Sequence, residues 1–238
     1  MWLAIETATD RASIALGTGV ADAVERSIVG ARRHAAELLP AVEAALADAE
    51  VSLSAISGLV VSDGPGSFTG LRVGASVAKA LAHARRLPLW TAPSLLVRAA
   101  GLAHPGDTVL AVSNALRGDV YAAAYRFDAE AIRELLPPSV YRLEDVMGRR
   151  LPLTRLVGDV PPPLAQSLEA GLGRALVTSP EGAPRARTLL GLVNRPGGAT
   201  PAEQVEGWEP VYGRPAEAQA RWEMAHGRPL PDSIGRIG

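Results

Sequence analysis

Apolar and polar residues alternate from the start of the chain, Trp2-Leu3-Ala4-Ile5-Glu6, and this period of two predicts strands over residues 2–8 and 12–17. A short polar turn, Ala8-Thr9-Asp10-Arg11, joins them, and residues 20–29 supply a third antiparallel strand. The period then changes. Over residues 33–49, Leu38, Leu39, Val42, Ala45, Leu46 and Ala49 recur at spacings of three and four, which predicts an amphipathic helix. Pro40 lies inside it, so either the helix kinks there or its regular part starts near Leu39. Residues 57–62 read as a buried strand. A glycine-rich turn over 63–70 follows, then a helix over 71–86 with Val73, Val77, Ala80 and Leu81 on one face. A strand over 89–92 and a helix over 93–103 complete this half.

His104-Pro105-Gly106-Asp107 gathers chain-breaking residues and marks a domain boundary, giving an N-terminal lobe over 1–105, a second lobe over 106–212 and a tail over 213–238. Strands are expected over 108–113 and 120–127, around a turn at Leu116-Arg117-Gly118-Asp119. Pro137-Pro138 and Pro161-Pro162-Pro163 punctuate the rest. Further strands are expected at 155–158 and 175–178, with helices over 184–193 and 215–226. Three strands, then helices alternating with single strands, then a new strand pair argue for a mixed sheet flanked by helices rather than a doubly wound parallel sheet. No repeat is evident residue by residue, although both halves open on a strand hairpin.

Composition removes several classes of function. Hydrophobic residues make up 47% of the 238, enough for a buried core. A net charge of −1 argues against a uniformly basic nucleic-acid binder but leaves room for a local patch such as Arg32, Arg33, Arg85 and Arg86. Without cysteine there is no disulfide, thiolate metal site or thiol nucleophile. No charged segment precedes an apolar run at the start, and no stretch of about 18 apolar residues occurs, so a soluble, cytosolic protein is expected.

Four features are candidates for chemistry or contact. The segment Asp63-Gly64-Pro65-Gly66-Ser67-Phe68-Thr69-Gly70 follows a strand and opens a helix, where free N–H groups attract anions. It lacks the Gly-Lys-Ser/Thr ending of a P-loop, and the plainer reading is a tight turn in which Gly70 and Gly74 allow close helix packing. In the opening hairpin, Glu6 beside Thr7 and Thr9 could orient a phosphate or hydrated metal, or serve simply as a strand-end acid. The histidines, His34, His83, His104 and His226, show no helical pairing for a metal, and His34 beside two arginines is expected to face solvent. Ser67 is not in a nucleophile elbow, because Thr69 stands where that motif needs glycine. The stripes Leu38, Val42, Leu46 and Val73, Val77, Leu81 read as core faces, or as a helix-helix interface between chains.

Together these segments resemble the TsaB (YeaZ) family. The resemblance rests on Leu3-Ala4-Ile5-Glu6-Thr7-Ala8-Thr9, on Ser13-Ile14-Ala15-Leu16, on His34 with Leu38-Leu39-Pro40, and above all on Gly64-Pro65-Gly66-Ser67-Phe68-Thr69-Gly70-Leu71-Arg72-Val73-Gly74. Leu87-Pro88, Pro93-Ser94-Leu95, the segment from Asn114 to Tyr121 (Asn114 replacing the usual acid) and Pro210-Val211-Tyr212-Gly213-Arg214 extend it over nearly the whole chain. The resemblance implies an actin-like (ASKHA) fold of two ribonuclease-H-like lobes. It also implies a role in forming N6-threonylcarbamoyladenosine at position 37 of tRNAs that read codons beginning with A. In that system a paralogous catalytic subunit, TsaD, and an ATPase, TsaE, act with TsaB on an adenylate donor, and the tRNA is met through the complex. The catalytic paralogue carries two metal-binding histidines four apart. Aligning Leu87-Pro88 with its equivalent step puts Ser94 and Arg98 at those positions, neither of which can replace a neutral imidazole on a divalent metal.

No catalytic site, metal or resident cofactor is therefore expected on this chain. The partner interface is expected at His34, Leu38, Leu39, Val42, Leu46, Val73, Val77 and Leu81, a face that would also allow a homodimer in isolation. If ATP or ADP binds at the junction with the partner, Glu6, Thr7, Thr9, Gly64 and Gly66 are the residues expected to meet it. The alternatives are a free-standing protease or actin-like ATPase, a nucleotide-binding regulator, and a direct tRNA platform on the arginines named above.

Overall fold

Strand alternation at the start of the chain closes an antiparallel meander of β1 (Trp2–Glu6), β2 (Arg11–Gly17) and β3 (Val24–Val29). These positions come from a computed structural model, which describes residues 1–30, 33–115, 117–213 and His226. Next to β1 run β4 (Gly58–Ser62) and then β5 (Leu89–Ala92), both parallel, and β11 (Thr200–Pro201) pairs antiparallel at the edge. Because side chains alternate along a strand, Leu3, Ile5, Ile14, Leu16, Leu59 and Val61 point to one face. There they form a core with α1 (His34–Asp48) and α2 (Phe68–Arg85). The opposite face carries small residues, Ala4, Ala15, Val60 and Ala92, and admits α6 (Ala186–Leu190) closely.

The second sheet repeats this plan. Its meander is β6 (Thr108–Asn114), β7 (Asp119–Phe127) and β8 (Ile132–Arg142), with β9 (Arg155–Asp159) and β10 (Leu176–Val177) parallel to β6. Strand order β10-β9-β6-β7-β8 matches β5-β4-β1-β2-β3 strand for strand. This is the actin-like arrangement of two ribonuclease-H-like lobes. Leu110, Val112, Val120, Leu136 and Leu156 form the outer core of the second sheet with Val146 of α4 (Leu143–Gly148) and Leu168 of α5 (Pro162–Leu172). The inner faces of the two sheets share a single cluster with α3 (Ser94–Ala100) and α6.

Several elements depart from the sequence expectations for physical reasons. Helix α2 begins before Leu71, because Ser67 caps it by accepting from Gly70 N at 3.2 Å. Helix α1 neither breaks at Pro40 nor waits for Leu39; it runs from His34, with Ala36 and Pro40 both on the exposed side, where water can serve the carbonyl that lacks a donor. Pro137-Pro138 do not interrupt the chain but lie in β8, an edge strand, at a bulge between the pairings Ala122–Ser139 and Ala124–Leu136. The triple proline likewise opens α5, with Pro162 in its first turn. The expected closing helix over 215–226 lies outside the described residues apart from His226. Chain past residue 186 returns to the first sheet through α6 and β11.

Candidate functional site

The ends of both sheets meet at a cleft of about 1090 Å³. One wall is the β1–β2 turn (Ala8, Thr9, Asp10, Arg11) and the start of α2 (Gly66, Ser67, Phe68, Thr69). The other is formed by Ser113, Asn114 and Tyr121 of the second sheet, with Asp159 and Ser179. Helix α3 contributes Ser94 and Arg98, one turn apart. Ser94 Oγ accepts from Gly64 N at 3.1 Å and so is committed to the strand-to-helix loop. Arg98 is 3% exposed; its guanidinium contacts Asp159 Oδ2 at 2.9 Å and donates to Gly182 O at 2.8 Å. Burial raises the pKa of Asp159, but the charge of Arg98 and the N–H and hydroxyl of Ser179 outweigh it and hold the carboxyl below its ordinary value.

Behind the cleft lie two carboxyls, of which one, Glu6, is kept from water. Glu6 is fully buried; Oε1 accepts from Ala8 N at 2.7 Å, while Oε2 and the nearby Ser62 Oγ have no hydrogen bond of normal geometry. Burial pushes its pKa up to about 7, opposed by Ala8 N–H, the Ser62 hydroxyl and Arg98, and reinforced slightly by Asp63. Asp63, half-buried, is pushed up to about 6 by its partial loss of water, with the Thr91 hydroxyl opposing the rise.

The glycines of the motif are used for close approach. A Cβ on Gly66, Gly70 or Gly74 would overlap Ala8, the Thr7 carbonyl or the Thr7 hydroxyl, so α2 lies directly on the β1–β2 turn. Gly64 (φ +107°) is covered by the Val211 carbonyl, while Val211 N donates to Asp63 O at 2.6 Å. Tyr212 then stacks on Phe68 at 4.6 Å, with Arg72 over the Phe68 ring at 4.5 Å. Of the residues expected to meet a nucleotide, Thr9 and Gly66 line the cleft, whereas Glu6, Thr7 and Gly64 sit behind it.

On the expected interface, His34 is buried at 1% exposure, with Nε2 3.3 Å from Asp10 O, which corrects the solvent-facing expectation. Leu38 and Val42 are also buried, packed into the chain's own core and unable to touch a partner without unfolding α1. Leu39, 52% exposed, stands on the outer side of α1, and Leu46, Val73, Val77 and Leu81 are half-buried. Of the arginines considered for tRNA, Arg33 pairs with Glu37, Arg85 and Arg86 are exposed, and Arg32 lies outside the described residues. Sequence reasoning missed Asp159 and Ser179. The readable signal was Arg98 itself, a lone cation in the apolar run Ser94-Leu95-Leu96-Val97-Arg98-Ala99-Ala100, which calls for a buried partner.

A family model described as TsaD: tRNA N6-adenosine threonylcarbamoyltransferase matches residues 27–170. An uncharacterized Mycobacterium leprae protein is 43% identical over 130 residues, covering 52% of this chain and 35% of that protein. The tRNA threonylcarbamoyladenosine biosynthesis protein TsaB of Escherichia coli is 37% identical over 133 residues, covering 55% of this chain and 57% of that one. The chain thus spans between 35% and 58% of the length of the first curated relatives it matches. The solved structure of YeaZ from Pseudomonas aeruginosa superposes with a TM-score of 0.68 at 26% identity, covering 89% of this chain and 98% of that one.

Proposed function

The chain belongs to the TsaB (YeaZ) family, and on that premise we propose that it is a non-catalytic subunit of the machinery that forms N6-threonylcarbamoyladenosine at position 37 of tRNAs reading codons that begin with A. In this reading it binds and activates a catalytic TsaD paralogue, works with the ATPase TsaE, and meets tRNA through the complex in the cytoplasm.

The observation that carries the reading is the α3 turn at the cleft. Where the resemblance puts the paralogue's metal-binding histidines, this chain has Ser94, bound to Gly64 N, and Arg98, bound to Asp159 and Gly182 O. A guanidinium held in that place repels a divalent cation, so threonylcarbamoyl transfer falls to the partner. What this chain offers the partner is the outer side of α1 and α2, where Leu39 is exposed and Leu46, Val73, Val77 and Leu81 are half-buried. The same surface would pair two copies in the absence of TsaD. ATP or ADP, where it binds, would lie at the partner junction with Thr9 and Gly66 nearest to it.

Reconstitution tests the proposal. Purified TsaD, TsaE, tRNA and the threonylcarbamoyl-adenylate donor are expected to give modified adenosine only when this chain is added, with none from this chain and the donor alone. Equal modification without it, or modification by this chain alone, would overturn the assignment.

A further inference from the structure

After β11 the chain runs back along α2 as a strap, and its contacts meet that helix in reverse order. Glu206 stands 3.7 Å from His83. Lys79 Nζ donates to Trp208 O at 2.6 Å and to Glu209 Oε1 at 3.1 Å. Tyr212 stacks on Phe68, and the guanidinium of Arg72 lies over both rings. Phe68, Arg72, Lys79 and His83 present themselves together because spacings of four and seven return to one side of a helix. Val205 and Trp208 anchor the strap by packing against the outer core.

The last residues of the strap join the two walls of the cleft. Val211 N donates to Asp63 O at 2.6 Å, and a Cβ on Gly64 would come within 2.1 Å of the Val211 carbonyl. Two residues on, Gly213 packs on the Tyr121 ring in β7, where a Cβ would come within 2.6 Å of Cε1. Both glycines have positive φ, +107° and +71°, so each contact point needs glycine for its backbone and for its closeness. Phe68 and Tyr121 line opposite walls of the cleft, so Tyr212 and Gly213, adjacent in the chain, touch one lobe each.

At the base of the cleft the lobes need no such tie. They share an inner core and exchange helices across that junction: α3 packs on β6, β7 and β9, while α6 packs on β1, β2 and β4. We propose that residues 206–213 are a clasp that holds the walls together at the rim and links the rim to the outer flank of α2. Lys79 fastens its middle, about three turns and about 16 Å along the helix from Phe68. The inference rests on this chain's own contacts and is independent of which partner it serves. Its ties are few, and the pair of Glu206 with His83 is exposed, so the clasp opens more readily than the core.

Hydrogen exchange of the full chain, read by mass spectrometry, tests the clasp at three separate points. Lys79→Met removes the middle tie, Tyr212→Ala removes the stack on Phe68, and Gly213→Val removes the seat on Tyr121. Each is expected to speed exchange about tenfold in residues 206–213, in the loop 63–70 and in the turn 117–121, with β1 and β6 unchanged. The response of 117–121 to Lys79→Met decides most, because that change lies on α2 and the turn belongs to the other lobe. Faster exchange confined to 206–213, or none anywhere, would make the strap a passive segment and overturn the clasp. Faster exchange throughout, β1 and β6 included, would overturn it too, since the variants would then merely destabilise the fold.

Discussion

At the residue scale the carboxyl of Glu6 controls how the chain responds to pH. Its folded pKa, about 7, lies above its ordinary 4.5, so the protonated form is the one the fold prefers. That preference stabilises the fold fully below pH 4.5 and is lost as pH rises towards 7. The gap corresponds to about 3 kcal/mol. Glu6→Gln keeps an oxygen for Ala8 N–H and gives Ser62 Oγ a donor, and it is expected to raise stability at pH 8 by up to that amount. Urea unfolding between pH 5 and 8 measures this. The variant should lose most of the slope, with Asp63 retaining the smaller remainder. An unchanged slope would mean Glu6 is not the group responsible.

Glu6 also shows what one residue type can hide. As a letter it is a strand-end acid, a phosphate orienter or a metal ligand, and only its enclosure by Ala8, Ser62 and Arg98 distinguishes among these. Arg98 is similar. An arginine in an apolar helix announces a partner, but Asp159, half-exposed at the cleft, is too far along the chain for any local pattern to name it.

At the scale of elements, α1 separates packing from presentation within one turn. Leu38 faces the core and its neighbour Leu39 faces outward. Leu38→Ala is expected to cost about 2–5 kcal/mol of stability. Leu39→Glu should stay within about 0.5 kcal/mol of the parent. Urea unfolding of the two variants checks both, and comparable losses would misplace the helix face. The spacing of three and four located this helix but left its inner and outer sides open, since Leu38 and Leu39 both fit an apolar stripe. Proline misled elsewhere for a related reason. Its meaning depends on whether the missing N–H would have been needed, and at the edge strand β8 and the first turn of α5 it would not.

At the scale of the molecule, two sheets of one connectivity share an inner core, and α1, α2, α4 and α5 cover their outer faces. The opening hairpin of each half was legible from alternation, and the mixed sheet followed from element order. Equivalence of the two halves was only hinted at by their opening hairpins and implied by the family resemblance, because a shared strand order needs only similar patterns of burial and no shared residues. The exchange of α3 and α6 across the junction was hidden, since nothing local records which sheet a helix will cover. Arranged this way, the chain exposes Leu39 on its outer helices and lines its cleft with its own cation, Arg98, as the proposed partner role expects. The most direct test is co-purification with the TsaD paralogue of the same genome, using the parent chain and the Leu39→Glu, Val77→Glu variant. A stable heterodimer with the parent that is lost in the folded variant is the predicted result. A folded parent chain that forms no complex with TsaD, or a variant that still forms one, would contradict the account.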